Sequence, residues 1–168
     1  MLGLVGSAVW SLSGCVTGVF SRSTDADQPT ATGDCPDLPD AERTVCPGDD
    51  GPVGIDRSAT TVDGTAWSLR VAVANRGESP VQCSPAGWSV LRSSAGGWTA
   101  AVAGLRRSPR VAIAPGERYV WSLATPAAST GAADRRLRLA LDPGEYAFSI
   151  PLRAGEPLAA VAPFTVAG

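Results

Sequence analysis

The 168-residue chain contains no histidine and no lysine, and only one methionine. The missing histidine removes the side chain most used as a general base and the commonest metal ligand. A Ser-His-Asp or Cys-His catalytic arrangement is therefore impossible. No Gly-x-Ser-x-Gly elbow, no phosphate-binding loop and no Cys-x-x-Cys pair occurs. Six carboxylates lie beyond residue 63: Glu78, Glu117, Asp134, Asp142, Glu145 and Glu156. Most stand in turn sequences, which explains them without acid–base chemistry. No catalytic residue, metal site or cofactor is expected, and the chain reads as a non-enzyme.

All 14 basic residues are arginine. Residues 21–63 hold ten acids against Arg22, Arg43 and Arg57, a balance of −7. Residues 64–168 hold six acids against eleven arginines, a balance of +5. The front is acidic and the remainder mildly basic. Two arginine clusters, Arg106, Arg107 and Arg110, then Arg135, Arg136 and Arg138, read as solvated loop and strand faces. The overall charge of −2 argues against nucleic acid as a partner.

Residues 1–20 carry no charged side chain. Leu12-Ser13-Gly14-Cys15 resembles a lipobox, the signal at which a lipoprotein precursor is cut before a cysteine that is then lipidated. The resemblance implies membrane lipid attached through Cys15. A short transmembrane anchor is the alternative, since about 18 apolar residues nearly span a bilayer. Both readings place the following domain outside the cytoplasm, on the outer face of the cytoplasmic membrane. Residues 21–52 are rich in Ser, Thr, Asp, Pro and Gly and poor in large apolar side chains. Such a stretch cannot bury enough surface to offset its chain entropy, so a disordered acidic tether is expected. With Cys15 lipidated, three thiols remain. An exported setting favours a disulfide. Cys35 to Cys46 is the first choice because it closes a short loop; Cys46 to Cys83 or Cys35 to Cys83 would instead staple tether to domain.

A β domain is expected from Val53 to Gly168. Trp67, Leu69, Val71 and Val73 alternate with small or polar residues, the period of a half-buried strand. The run ends at Asn75-Arg76-Gly77, followed by a turn cluster. Shorter alternating runs follow around Val81, Val90, Val102, Ile113 and Trp121. Pro163, inside the last run, suggests an edge position or a bulge. Leu137, Leu139 and Leu141 alternate, Asp142-Pro143-Gly144 interrupts, and Tyr146, Phe148, Ile150 and Leu152 alternate again. Two half-buried strands joined at a tight corner fit this stretch best. Seven or eight short strands without an amphipathic helix predict an antiparallel β-sandwich, with a barrel as the alternative.

The spacing Asp142-x-Gly144-x-Tyr146-x-Phe148 resembles the immunoglobulin pattern Asp-x-Gly-x-Tyr-x-Cys. Residues 67–152 are also similar to the Ig-like intracellular proteinase inhibitor family and related domains of prokaryotic lipoproteins. The shared landmarks are the strand ending in Asn75, Pro80-Val81, the Pro115-Gly116-Glu117 turn and Pro143-Gly144-Glu145-Tyr146. Lipobox, acidic tether and lysine-free composition together resemble an exported haloarchaeal lipoprotein. The resemblance implies an immunoglobulin-like sandwich in which the Tyr146 hydroxyl bonds back to the turn, with Asp142 and Gly144 shaping it. The function expected is a membrane-anchored binding or adhesion module that contacts another envelope protein or a polymer. Inhibition of extracellular proteases and a structural role in an envelope complex are the alternatives. Trp67, Trp88, Trp98 and Trp121 are expected to be core residues first. Trp98, beside a Gly-Gly turn, is the candidate for an exposed position.

Overall fold

The computed structural model describes residues 35–38, 40–105 and 108–168. The expected anchor, with Cys15, and residues 21–34 of the expected tether lie outside the described residues. Every regular element among the described residues is a strand.

In chain order these are β1 (Arg43–Val45), β2 (Val53–Arg57), β3 (Thr61–Val62), β4 (Ser68–Asn75), β5 (Val81–Cys83) and β6 (Ser89–Ser94). There follow β7 (Gly97–Ala103), β8 (Val111–Ile113), β9 (Arg118–Ala124), β10 (Arg135–Arg138), β11 (Gly144–Ala154) and β12 (Glu156–Val166). They form two mixed sheets. The smaller runs β10-β9-β4-β2. The larger runs β1-β12-β11-β5-β8, with β3 also beside β12, and with β6 beside β11 and carrying β7. One hydrophobic core joins them. Val53, Ile55, Leu69, Val71, Val73, Trp121 and Leu123 come from the smaller sheet, and Val81, Val90, Phe148, Ile150 and Leu152 from the larger. Strand periodicity explains the choice: those of these side chains that share a strand lie two residues apart on it.

The longest ladder joins β11 to β12, from Gly144 opposite Val166 to Ala154 opposite Glu156. Gly155 makes the turn at φ 86°, a conformation open to glycine at little steric cost. Two prolines interrupt these strands where no second neighbour needs an N–H. Pro163 lies between the stretch of β12 paired with β1 (Leu158 to Ala160) and that paired with β3 (Thr165 and Val166). Pro151 lies between the stretches of β11 paired with β6 (146–149) and with β5 (152–153). Both occupy local gaps in a ladder, the positions where a strand tolerates a missing donor.

The expected seven or eight antiparallel strands are twelve among the described residues, and three pairings, β1 with β12, β3 with β12 and β10 with β9, are parallel. Three further observations depart from the sequence reading. The two strands of Leu137 to Leu152 meet at a corner as expected, but they do not pair with each other. The first, β10, pairs parallel with β9 in the smaller sheet, and the second, β11, belongs to the larger sheet. The interrupting Asp-Pro-Gly thus carries the chain from one layer to the other. Second, β11 is not half-buried: Tyr146, Ala147, Phe148, Ser149 and Ile150 are all buried. The outward-facing Ala147 and Ser149 are small, which lets other parts of the chain pack down on them. Third, order begins before Val53. β1 pairs parallel with β12, and Val45 is buried in the main core. A buried valine and a ladder with β12 tie down part of the stretch whose composition suggested a tether.

Polar side chains tie the layers where they meet. Asn75, 2% exposed, ends β4. Its Nδ2 donates to the carbonyls of Ser79 (2.9 Å) and Ile113 (2.8 Å), and its Oδ1 accepts the Gly77 N–H (3.0 Å). Its own N–H donates to Glu117 O and its carbonyl accepts from Gly116. One side chain thus links the β4 turn to the end of β8 in the opposite sheet. Trp121 Nε1 donates to Pro85 O at 3.1 Å, a second buried bond across the layers. At the crossover, Tyr146 Oη donates to Asp142 O at 2.8 Å. Arg92 lies over the Tyr146 ring, 5.7 Å from its centroid.

Asn75→Ala leaves three backbone partners without their bonds at once, whereas Tyr146→Phe removes one bond at a partly open corner. The expected losses of stability are about 3 kcal/mol for Asn75→Ala and about 1 kcal/mol for Tyr146→Phe, read from urea unfolding midpoints at constant m.

Candidate binding groove on the outer face of the larger sheet

Away from the shared core, the larger sheet has a second apolar cluster on its outer face. Leu91 of β6, Ala147 of β11, and Ala159 and Val161 of β12 form it, and Cys35, Leu38, Ala41 and Trp98 pack against it. Three of those four packing residues come from the chain before β1. What holds that stretch down is a disulfide between Cys35 and Cys46, spanning 11 residues with Cα atoms 6.2 Å apart. The first-choice pairing is the one observed, and the two pairings through Cys83 do not form. The Cys46 N–H also donates to Asp49 Oδ2 at 2.8 Å. The disulfide closes a short loop, and β1 anchors one end of it in the larger sheet.

Beside this loop lies a groove of about 820 Å³. Leu38 and Ala41 form one wall with Asp37 and Asp40, and Trp88, Leu91, Trp98 and Leu105 supply the apolar lining. Leu105 is 66% exposed, the only large apolar side chain among the described residues in that state. Trp88 is held from beneath: its ring stacks on Phe148 of the core with centroids 6.5 Å apart. Gly104 closes the far end of β7, donating its N–H to Trp88 O at 2.8 Å. A methyl at Gly104 would meet the Ala86 carbonyl and the Trp88 indole. Only glycine lets the chain approach that closely.

Several residues flagged in the sequence lie elsewhere. Trp67 and Trp121 are buried in the core, Trp121 completely. Trp98 is half-buried rather than freely exposed, because the second cluster receives one side of its ring. Asp142, Gly144 and Tyr146 sit at the crossover, apart from the groove lining. Cys83 is a buried free thiol. Burial raises its pKa from 9.0 to about 11, so it is a neutral packing group at ordinary pH. The lining residues Leu38, Ala41 and Leu91 had no sequence signal. Each looks like a lone apolar residue until the disulfide and the β6–β11 register bring them together. Trp88 and Trp98 showed only as alternating aromatics.

The arrangement offers apolar contact area with a carboxylate rim and the hydroxyls of Ser89 and Ser149. Such a concave, largely apolar lining suits recognition of an apolar segment. Among the described residues there is no group of three His, Cys, Asp or Glu side chains able to hold a metal. No helix among them is long and apolar enough to cross a membrane.

No protein-family model matches the chain, and no curated protein matches it. Solved structures resemble it at a distance. A Northeast Structural Genomics Consortium target is 17% identical with a TM-score of 0.40, over 70% of this chain and 88% of its own. A Pseudomonas fluorescens alkylpurine DNA glycosylase is 15% identical with a TM-score of 0.37 over 72% of this chain. An Erythrobacter marinus β-glucosidase is 20% identical with a TM-score of 0.37 over 68% of this chain. The match spans 32% of the glycosylase and 15% of the glucosidase. At these scores the likenesses assign neither a family nor an activity.

Two outcomes follow from the geometry. The Cys35→Ser/Cys46→Ser variant should release the loop wall while β11 and β12 stay closed. Amides from 37 to 45 then exchange with deuterium at least tenfold faster, and those of 146–150 on the core ladder change little. The raised Cys83 pKa has the opposite sign from a salt-bridged carboxylate. Below pH 9 the thiol is neutral in both states; between about 9 and 11 only the unfolded chain ionises. Stability should therefore fall as pH rises through that window, and Cys83→Ala should flatten that part of the urea-midpoint profile.

Proposed function

We propose that the chain is a non-catalytic binding module at the outer face of the cytoplasmic membrane, anchored by lipid on Cys15, and that its groove receives a segment of another envelope protein. The fold within this reading is an immunoglobulin-like sandwich. Support comes from the strand order, β2-β4-β9 in one layer and β12-β11 with β5 and β6 in the other. The bond from Tyr146 back to Asp142 agrees with it, as a tyrosine at the start of the crossover strand does in such domains.

The observation that carries the binding role is the groove. It combines a highly exposed leucine, two tryptophans fixed from below and a wall held by a covalent link. A packed core alone does not require an exposed leucine beside two partly buried tryptophans. Contiguous apolar surface of this kind marks interaction sites. Preorganised aromatic anchors contribute most of the energy in such contacts. The disulfide agrees with a setting outside the reducing cytoplasm.

Copurification of the tagged full chain from native membranes tests the reading. A stoichiometric partner is expected, and Trp98→Ala should lower its recovery about tenfold, as a hot-spot residue worth 1.4 kcal/mol or more would. Equal recovery on Trp98→Ala sinks the groove assignment. Cys15→Ser should move the protein from the membrane to the soluble fraction. A variant that stays in the membrane, with no lipid on either form, removes the anchor.

A further inference from the structure

We propose that the occupant of the groove is an extended polypeptide, which adds to the free edge of β7 and places a carboxylate between Arg110 and Arg153. This rests on the binding reading and narrows it to one ligand class.

The first ground is the edge. Among the described residues, β7 has a ladder partner only on its β6 side. Its seven residues, Gly-Trp-Thr-Ala-Ala-Val-Ala, include no charge, and most are exposed. Other strands with one open side differ. β10 reads Arg-Arg-Leu-Arg, β2 ends in Asp-Arg, and β8 has three residues. Charge and shortness are the usual protection of a sheet edge against pairing. In β7 the irregularity opposite Val90/Leu91 places one extra residue, Ala101, and leaves Gly97 to Ala100 as a regular run. A strand docking there finds backbone donors and acceptors at strand spacing. A polypeptide matches that spacing, whereas a lipid or a polysaccharide does not.

The second ground is position. Gly97, Trp98, Ala100 and Ala103 of β7 are themselves the margin of the groove. A strand added to this edge would send alternate side chains over Trp98 and Leu105.

The third ground is charge. A second pocket, of about 500 Å³, adjoins the groove: Gly87, Pro151, Leu152 and Pro157 line both. Gln82, Ser84, Ser108, Arg110 and Arg153 complete it, and no carboxylate among the described residues lines it. Arg153 stands opposite Gln82 in the β11–β5 ladder, and Arg110 immediately precedes β8, the next strand across. The one ion pair among the described residues is Arg76 with Asp56, so neither pocket arginine has an acidic partner there. Two guanidinium forks with neighbouring hydroxyls and an amide are the donors that bind a carboxylate. The opposite wall of the groove carries Asp37 and Asp40. The site is therefore polar along its length, and an acidic ligand group is directed to the arginine end and away from the loop.

The test selects a library of random 12-residue peptides against the full chain. Enriched sequences should pair a stretch of uncharged β-forming residues with Asp, Glu or a free C-terminal carboxylate at one end. Resynthesised peptides should bind at least tenfold more weakly to Arg110→Gln/Arg153→Gln. N-methylation at alternate residues should weaken them by a similar factor, because it removes ligand backbone donors and leaves the side chains. Enriched peptides without acid, or binding indifferent to both changes, overturn the proposal. So does an absence of enrichment, and phosphatidylglycerol vesicles that bind through the two arginines would then identify a lipid site. The broader groove reading is decided separately, by recovery of the membrane partner on Trp98→Ala.

Discussion

The centre of β11, Tyr146 to Ile150, is buried on both of its faces, and much of the architecture answers that constraint. A strand in that position needs cover on each side. Its inner side chains, Tyr146, Phe148, Ile150 and Leu152, are covered by the smaller sheet across the main core. On the outer side Ala147 joins the second cluster, which receives the stretch before β1. Long pairing with β12, together with β5 and β6 on the other side, satisfies its backbone. The small outward residues are what make close cover possible.

The cover on the outer face is covalently held, and that links stability to the proposed function. A loop of this size, closed by a disulfide, loses unfolded-state entropy worth about 3 kcal/mol in the chain-entropy picture. Little other apolar material is present in the loop to hold it: Leu38, Ala41 and the half-cystines against one small cluster. The same loop is a wall of the groove. Redox state and groove shape are consequently coupled, and the main core lies on the other side of the sheet. Asn75 and Trp121 perform a comparable task inside, joining the layers by buried bonds that depend on both sheets being in place.

The polarity of the outer face follows from the same arrangement. The acidic loop brings Asp37 and Asp40 to one wall of the groove, while β11 and the segment before β8 bring Arg153 and Arg110 to the adjoining pocket. The charge imbalance between the front of the chain and its remainder is thus expressed locally, across one site. Arg110 belonged to a cluster that sequence treated as a solvated loop. Its partner in the pocket, Arg153, lies 43 positions later and is brought near by the β11–β5–β8 neighbourhood.

Local periodicity was enough to identify the all-β class, the inward residues of β4 and β9, and the break at Asp142-Pro143-Gly144, because alternation and turn chemistry act over a few residues. Cysteine spacing was enough to single out Cys35 and Cys46, since a short loop closes readily. Pro163 was legible as an edge-like position, for a missing donor has the same consequence in any strand. Sheet membership was a different matter. Whether β10 and β11 form a hairpin or cross between layers depends on partners, β9 and β12, that the corner itself does not specify. The order of residues 35–52 depended on a ladder with β12 more than a hundred positions away, which composition cannot register. The groove was decided in the same way: its lining comes from the loop before β1, from β6 and β7, and from β11 and β12. No single stretch of chain carries its pattern, and only long-range packing assembles it.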